Sequence, residues 1–290
     1  MSWPGFRPEL VLLDADGVLW TGEHSIPGAR EFLQTLSRGG IQRALISNNS
    51  VYLHEHYLAR CERMGYDLQR HELFGAGIAS AAYLQHHHAD ARILLHMSSE
   101  IAGYIEERIP GAQSIDNWLD SLGLADNHSH VQIVEALQAD PFDALLVGID
   151  RHGSYRKIGV ASAALSAGAR FYCCNADYGF PTEAGTWLPD SGGIADMLAR
   201  LTGVQPEILG KPSVHLLDEI EVATGVQRER MLIIGDRLET DMAMASQHGL
   251  PGILVLTGVA TVDDAVRLSE MDGNLIAVQD LHAAAELLGL

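Results

Sequence analysis

The sequence predicts an α/β fold in which parallel sheets are covered by helices. Three observations lead there. Strand-length runs of Leu, Ile and Val alternate with longer amphipathic stretches, the pattern of β-α-β units. Those runs are apolar without a polar alternate, as strands buried on both faces require. Unusual polar residues cluster just past the carboxyl ends of the runs, where open parallel sheets bind their ligands.

Leu10–Leu13 reads as the first strand. Ile26–Arg38 reads as a helix with Pro27 in its first turn. Ile41–Ile46 is a second strand, and His54–Met64 a helix closed by Gly65. Arg92–His96, Ala144–Val147, Ala169–Cys173, Met231–Ile234 and Gly252–Leu256 read as further buried strands. Ile158–Ser166, Val214–Thr224 and Thr240–His248 carry helical periodicity between them. No internal repeat is visible, and no Pro- or Ser-rich linker marks a boundary.

The 290 residues suffice for one large domain or two ordinary ones. A net charge of −19 disfavours nucleic acid and anionic lipid as partners. No apolar run reaches membrane-spanning length, and Met1–Pro8 lacks the pattern of a secretory leader. Three cysteines, two of them adjacent (Cys173, Cys174), form neither a disulfide framework nor a spaced zinc pair. A reducing cytoplasm is the expected setting.

Four strand ends carry chemistry. Asp14 and Asp16 flank Ala15 and precede Gly17, aiming two carboxylates into one pocket. Their repulsion should raise one pKa and divide the labour between an ionised nucleophile and a proton-carrying acid. An ordinary Asp-Gly turn would account for the pair equally well by itself. Ser47, Asn48, Asn49 and Ser50 follow the second strand, where hydroxyl, amide and backbone N–H groups can hold phosphate oxygens or cap a helix. Lys211, between Gly210 and Pro212, is a point charge for phosphate, though not part of a Walker A loop. Gly235-Asp236 ends another apolar run, with Asp241 five positions on. Asp14, Asp16 and Asp236 form an oxygen-ligand set suited to Mg²⁺.

Each group is weak alone, but their order along the chain is specific. Together they resemble the haloacid-dehalogenase superfamily, and within it the NagD-like p-nitrophenylphosphatase group with a type-2a cap. The likeness is carried by Asp16-Gly-Val-Leu-Trp20, Ile26-Pro-Gly-Ala29, Ser47-Asn-Asn-Ser50, Gly210-Lys-Pro212, Gly235-Asp-Arg-Leu-Glu-Thr-Asp241 and Leu256-Thr-Gly-Val259. It depends little on Ala15 or on Ser47 standing where threonine is frequent. Leu188-Pro-Asp-Ser-Gly-Gly193 departs from the group's usual loop. The resemblance implies a Mg²⁺-dependent phosphatase of small phosphorylated metabolites. Asp14 would be the nucleophile and Asp16 the general acid and base. Ser47, Asn48, Asn49 and Lys211 would hold phosphate; Asp14, Asp16 and Asp236 would hold the metal, with Asp241 either supporting the metal's waters or orienting Lys211.

Spacing locates the expected insertion. Asp14 to Ser47 spans 33 positions, but Ser47 to Lys211 spans 164, far more than one crossover needs. The resemblance implies a Rossmann-like core over 1–84 and 181–290 and an α/β cap over 85–180, a lid that would exclude water and through which two copies could pair. It also places Asn175 and Asp177 beside the substrate, although a turn would use the same residue types.

A dehalogenase would need neither the second aspartate nor the metal set. A sugar phosphomutase would carry its cap in the short first gap. A non-catalytic metabolite-binding protein would have no need of intact motifs. His86–His88 reads as a solvated helix end, and Trp20 as flap or core packing. Gly75-Ala-Gly77 lacks the third glycine of a dinucleotide fingerprint.

Overall fold

The computed structural model describes residues 6–124, 129–181, 185–271 and 274–290. Met1–Gly5, part of the segment read above for a leader, lie outside the described residues. The chain packs as two compact units. One runs up to Ser47 and adds His54–Gly75 and Lys211–Leu290; the other comprises Asn48–Leu53 and Ala76–Gly210.

The first unit holds a six-stranded sheet. In spatial order its strands are Leu275–Val278, Gly252–Val255, Met231–Gly235, Leu10–Asp14, Gln42–Ser47 and Leu73–Gly75, and every pairing is parallel. Counted along the chain within this unit, that is the 3-2-1-4-5-6 order of a doubly wound sheet. Leu10–Leu13 and Met231–Ile234 are fully buried. Each such side chain contributes roughly 1.5–3 kcal/mol by leaving water. Leu13 pairs with Ile234 on one side and Leu45 on the other. Asp14 and Asp236 thus stand at adjacent carboxyl ends, on either side of the point where the winding reverses.

The second unit holds its own all-parallel sheet, ordered Glu207–Ile208, Arg170–Cys173, Ala144–Val147, Ile93–His96 and Ala112–Ser114. This is the 2-1-3-4-5 order. Its core joins Leu94, Leu145, Val147 and Phe171 to Trp118, Leu137 and Leu198. Helices Ala76–His87 and Ser191–Thr202 belong to this unit, so it extends beyond the 85–180 expected of a cap.

The expected α/β architecture with parallel sheets is borne out, and differences are local. The helix expected from Ile26 begins at Ala29. Ile26 instead donates its N–H to Leu19 O at 3.0 Å, and Gly28 turns left-handed with φ of 84°. Ile26-Pro-Gly is therefore a turn anchored to the short antiparallel pair Trp20–Thr21 and His24–Ser25 that precedes it. The helix expected over Thr240–His248 is preceded by a widened π-type turn, Leu238–Met242, and is itself Ala243–Gln247. Strands Leu73–Gly75, Ala112–Ser114, Glu207–Ile208 and Leu275–Val278 escaped the reading. All four lie at a sheet edge; three of them have three residues or fewer, and Leu275–Val278 is only half-buried. Among the described residues, no helix is long and apolar enough to cross a membrane.

Candidate active site

The strand Leu10–Asp14 delivers Asp14 into the protein, 7% exposed. Asp14 Oδ1 accepts from the Ala15 N–H at 2.7 Å and lies 2.7 Å from Lys211 Nζ. Lys211, 2% exposed, also donates to Asp241 Oδ1 at 2.8 Å. Asp241 reaches the strand end because Leu238–Met242 is wound as a π-type turn, in which Met242 N–H bonds Arg237 O at 3.1 Å. A side chain at position 235 would collide with Asp241, so Gly235 permits the approach.

Asp236 is 1% exposed. Its Oδ2 accepts the Val259 N–H at 2.7 Å, while its Oδ1 is buried and has no hydrogen-bond partner among the described residues. Gly17 and Gly258 press on this carboxylate from two sides. A Cβ on either would strike Asp236 Oδ2, and Gly17 is further constrained by a φ of +86°. Thr257 Oγ1 ties the Gly17 carbonyl at 2.6 Å. One carboxylate oxygen each from Asp14, Asp236 and Asp241 lies within 4.8 Å of the others.

Three buried carboxylates outnumber Lys211 and the weaker pull of Arg237 on Asp236 and Asp241, leaving an excess of negative charge. Burial pushes the Asp14 pKa up to about 7; Lys211 opposes this, and Asp236 and Asp16 reinforce it. Burial and Asp241 push Asp236 up to about 6, against the Val259 N–H. Burial and Asp14 do the same for Asp241, against Lys211. Burial alone would lower the Lys211 pKa, but Asp14 and Asp241 outweigh it and hold the ammonium charged well above its ordinary value. The orphaned Asp236 Oδ1 and the excess charge fit a hard divalent cation, which takes oxygen ligands.

Asp16 does not join that cluster. Its residue is exposed, and its Oδ1 accepts the Trp20 indole N–H at 3.1 Å. Crowding by protein raises its pKa, opposed by Arg60 and by the Trp20 bond. Ser47, 4% exposed, ends the strand Gln42–Ser47. Asn48 and Asn49 belong to the second unit. Asn48 Nδ2 donates to Asp177 Oδ2 at 3.0 Å, and Asn49 Oδ1 accepts the N–H groups of Val51 and Tyr52, both at 2.9 Å.

Asn175 is fully buried and its side chain is fully used. Nδ2 donates to Asn48 O at 2.5 Å and to Asp190 Oδ1 at 2.9 Å; Oδ1 accepts the Asp177 N–H at 3.1 Å. Asp177 is half-buried. In the histidine run, His86 and His87 are exposed, but His88 Nε2 meets the Tyr172 hydroxyl at 2.8 Å.

Sequence reasoning missed the supports. Asp190, buried at 6%, caps helix Ser191–Thr202 and orders Asn175. Its place in the unusual 188–193 loop was the available sign. Val259 and Gly258 lay within a quoted motif, but only the fold brings them to Asp236.

A doubly wound core with an acidic cluster and a lysine at its switch point is a place to bind a cation and an anionic ligand, and related proteins narrow the class. The profile of the haloacid dehalogenase-like hydrolases matches residues 11–108, and a related HAD-hydrolase-like profile matches 208–284. A 4-nitrophenylphosphatase of Schizosaccharomyces pombe is 31% identical across 96% of this chain and 93% of its own. An acid sugar phosphatase of Staphylococcus epidermidis is 27% identical across 88% of this chain and 89% of its own. The crystal structure of a 4-nitrophenylphosphatase from Thermotoga maritima, 26% identical, superposes with a TM-score of 0.79 over 96% of this chain and 97% of that one. The chain belongs to the haloacid dehalogenase-like hydrolases. Within them it falls in the NagD-like, 4-nitrophenylphosphatase group.

Proposed function

We propose that this protein is a Mg²⁺-dependent phosphatase of small phosphorylated metabolites, working through an aspartyl-phosphate on Asp14. The observation that carries the reading is Lys211 clasped between Asp14 and Asp241, beside a buried Asp236 with an oxygen that has no hydrogen-bond partner among the described residues. The related phosphatases support the reaction class, and the names of those relatives differ in substrate.

In this reading an oxygen of Asp14 attacks phosphorus in line. Asp16 protonates the departing oxygen, then takes a proton from the water that hydrolyses the Asp14 ester. Lys211, fixed by Asp241, neutralises the phosphoryl oxygens, with Ser47, Asn48 and Asn49 as further phosphate ligands. Asp14 and Asp236, with the Asp16 backbone carbonyl, would hold Mg²⁺, and Asp241 would support it from behind. The ion, when bound, supplies positive charge that keeps the cluster ionised and offsets charge on the transferring group. The second unit would serve as the cap. Asp177 is proposed to meet the organic half of the substrate, with Asn175 holding its backbone. Three free, buried cysteines suit a reducing cytoplasm, where we place the protein, and a homodimer through the cap completes the proposal.

The test is hydrolysis of p-nitrophenyl phosphate, then of a metabolite panel ranked by kcat/KM. Activity should vanish after exhaustive EDTA treatment and return with Mg²⁺. Full turnover without any metal would sink the assignment.

A further inference from the structure

We propose that Trp20 is a positioning residue for Asp16: its indole N–H holds Oδ1 and leaves Oδ2 to exchange the proton with the leaving group. The inference rests on the reading of Asp16 as general acid and base. Asp16 is exposed, so packing does not fix its rotamer as it fixes Asp14. The local turn brings a partner to it. Leu19 and Trp20 N–H groups both reach Ala15 O, at 2.9 and 3.2 Å, and Gly17 N–H reaches Trp20 O at 2.7 Å. The indole then returns beside Asp16, with Nε1 3.1 Å from Oδ1. Oδ2 receives no bond from the described residues.

Trp20 is itself clamped. It is fully buried and stacks on Tyr66, with centroids 6.4 Å apart and planes inclined by 17°. The Arg60 guanidinium lies 5.3 Å from its ring centroid and is tied to Glu23 at 2.6 Å, which also holds Arg63 at 2.9 Å. Tyr66 donates to Leu19 O at 2.5 Å.

An indole N–H donates and cannot accept. It therefore favours the oxygen of a carboxylic acid that carries no proton, and the acid proton resides on Oδ2. As the P–O bond to the leaving group breaks, that proton passes from Oδ2 to the departing oxygen. In the second half-reaction ionised Oδ2 takes a proton from water as the water oxygen bonds phosphorus. The Asp14–phosphorus bond breaks, and both carboxyls return to their starting forms.

The experiment compares phenyl phosphate with p-nitrophenyl phosphate, which are similar in shape but differ in their need for protonation of the leaving oxygen. W20F removes the donor. Replacing Trp20 by 3-benzothienylalanine removes the donor while keeping the two-ring shape, so folding is preserved. We expect kcat/KM for phenyl phosphate to fall by about 10–100-fold, and that for p-nitrophenyl phosphate by less than about threefold, the scale of a misplaced acid. Mg²⁺ affinity by calorimetry and the Tm of the isosteric variant should match wild type. D16N should show the same pattern at larger amplitude. If D16N does not discriminate between the two esters, Asp16 is not the acid and the underlying reading fails. If D16N discriminates but the isosteric variant loses equally on both esters, or loses nothing, Trp20 is packing alone and this proposal fails.

Discussion

Each unit buries one lysine between two aspartates at the carboxyl ends of parallel strands, yet only one of these clusters carries a third buried carboxylate. In the first unit Lys211 meets Asp14 and Asp241 at 2.7 and 2.8 Å. In the second, Lys157 meets Asp116 and Asp150 at 2.6 and 2.9 Å. The contact geometry is nearly the same. The difference lies in solvent and in charge count. The Asp241 side chain is 0% exposed, while that of Asp116 is 59% exposed and hydrated. The first cluster adds a third buried acid, Asp236. The second adds His96, whose pKa burial lowers despite the pull of Asp150, so it brings no cation to unbalance the pair. Water and one lysine suffice for the second cluster, whereas the first is left with uncompensated negative charge. A buried ion pair is by itself poor grounds for stability or for function; the excess is what marks the site.

The largest expected effects fall on the acids. Asp14→Asn should reduce turnover about 10⁴-fold or more, since an amide is a poor nucleophile, with the fold retained. Asp150→Asn should leave kcat near wild type. Comparable losses of turnover in both variants, each still folded by circular dichroism, would erase the distinction between the clusters.

The lysines sharpen it. Lys211→Met should lower kcat/KM by about 10²–10³-fold, the scale of a lost electrostatic partner of the transferring group. Lys157→Met strands the buried Asp150 and should cost about 3 kcal/mol of stability, read as urea unfolding, with little change in kcat. The reverse assignment of activity and stability would overturn the comparison.

The pH dependence has a definite sign. Asp14, Asp236 and Asp241 titrate at about 7, 6 and 6 in the folded protein, above their ordinary 3.8. Metal-free protein therefore holds extra protons, and the contribution of this cluster to stability is full below about pH 4 and is lost as pH rises towards about 7. Cations bind the ionised form. The rise in Tm on adding Mg²⁺ should be larger at pH 8 than at pH 5. An equal rise at both pH values would place the metal elsewhere.

The smallest effect concerns specificity. Asp177→Ala should reorder a metabolite panel by about tenfold in kcat/KM, the scale of one hydrogen bond, while sparing p-nitrophenyl phosphate. Asn175→Ala, which opens a saturated buried network, should lower Tm and scale all substrates alike. An unchanged ranking in Asp177→Ala would remove it from the substrate.

Most of the site was legible because its residues sit where chain direction alone puts them. Asp14, Ser47 and Asp236 each follow an apolar run, and a parallel sheet brings all such ends to one edge. Lys211 was legible by order, and Asp241 was one of the roles the resemblance offered for holding it; the contact with Asp14 was not legible, since the neighbours of Lys211 in sequence say nothing about Asp14. The resemblance gave Asp241 a supporting role; the π-type turn that brings its carboxylate within ion-pair distance of Lys211 leaves no periodic trace. Asn175 looked like a substrate contact because the residue type suits one, and only its complete burial shows every group taken.

What the sequence by itself determined is the architecture and the roster. Apolar periodicity dictates strands buried on both faces, and the order of polar strand ends singles out the residues with chemistry. What the tertiary structure alone decided is charge balance. Whether a lysine between two aspartates is a structural tie or half of a catalytic site depends on the third carboxylate and on access of water. Both are set by segments more than two hundred positions apart, such as Gly17 and Gly258 closing on Asp236. Coulomb energies depend on distance and local dielectric, and neither is written in the local sequence.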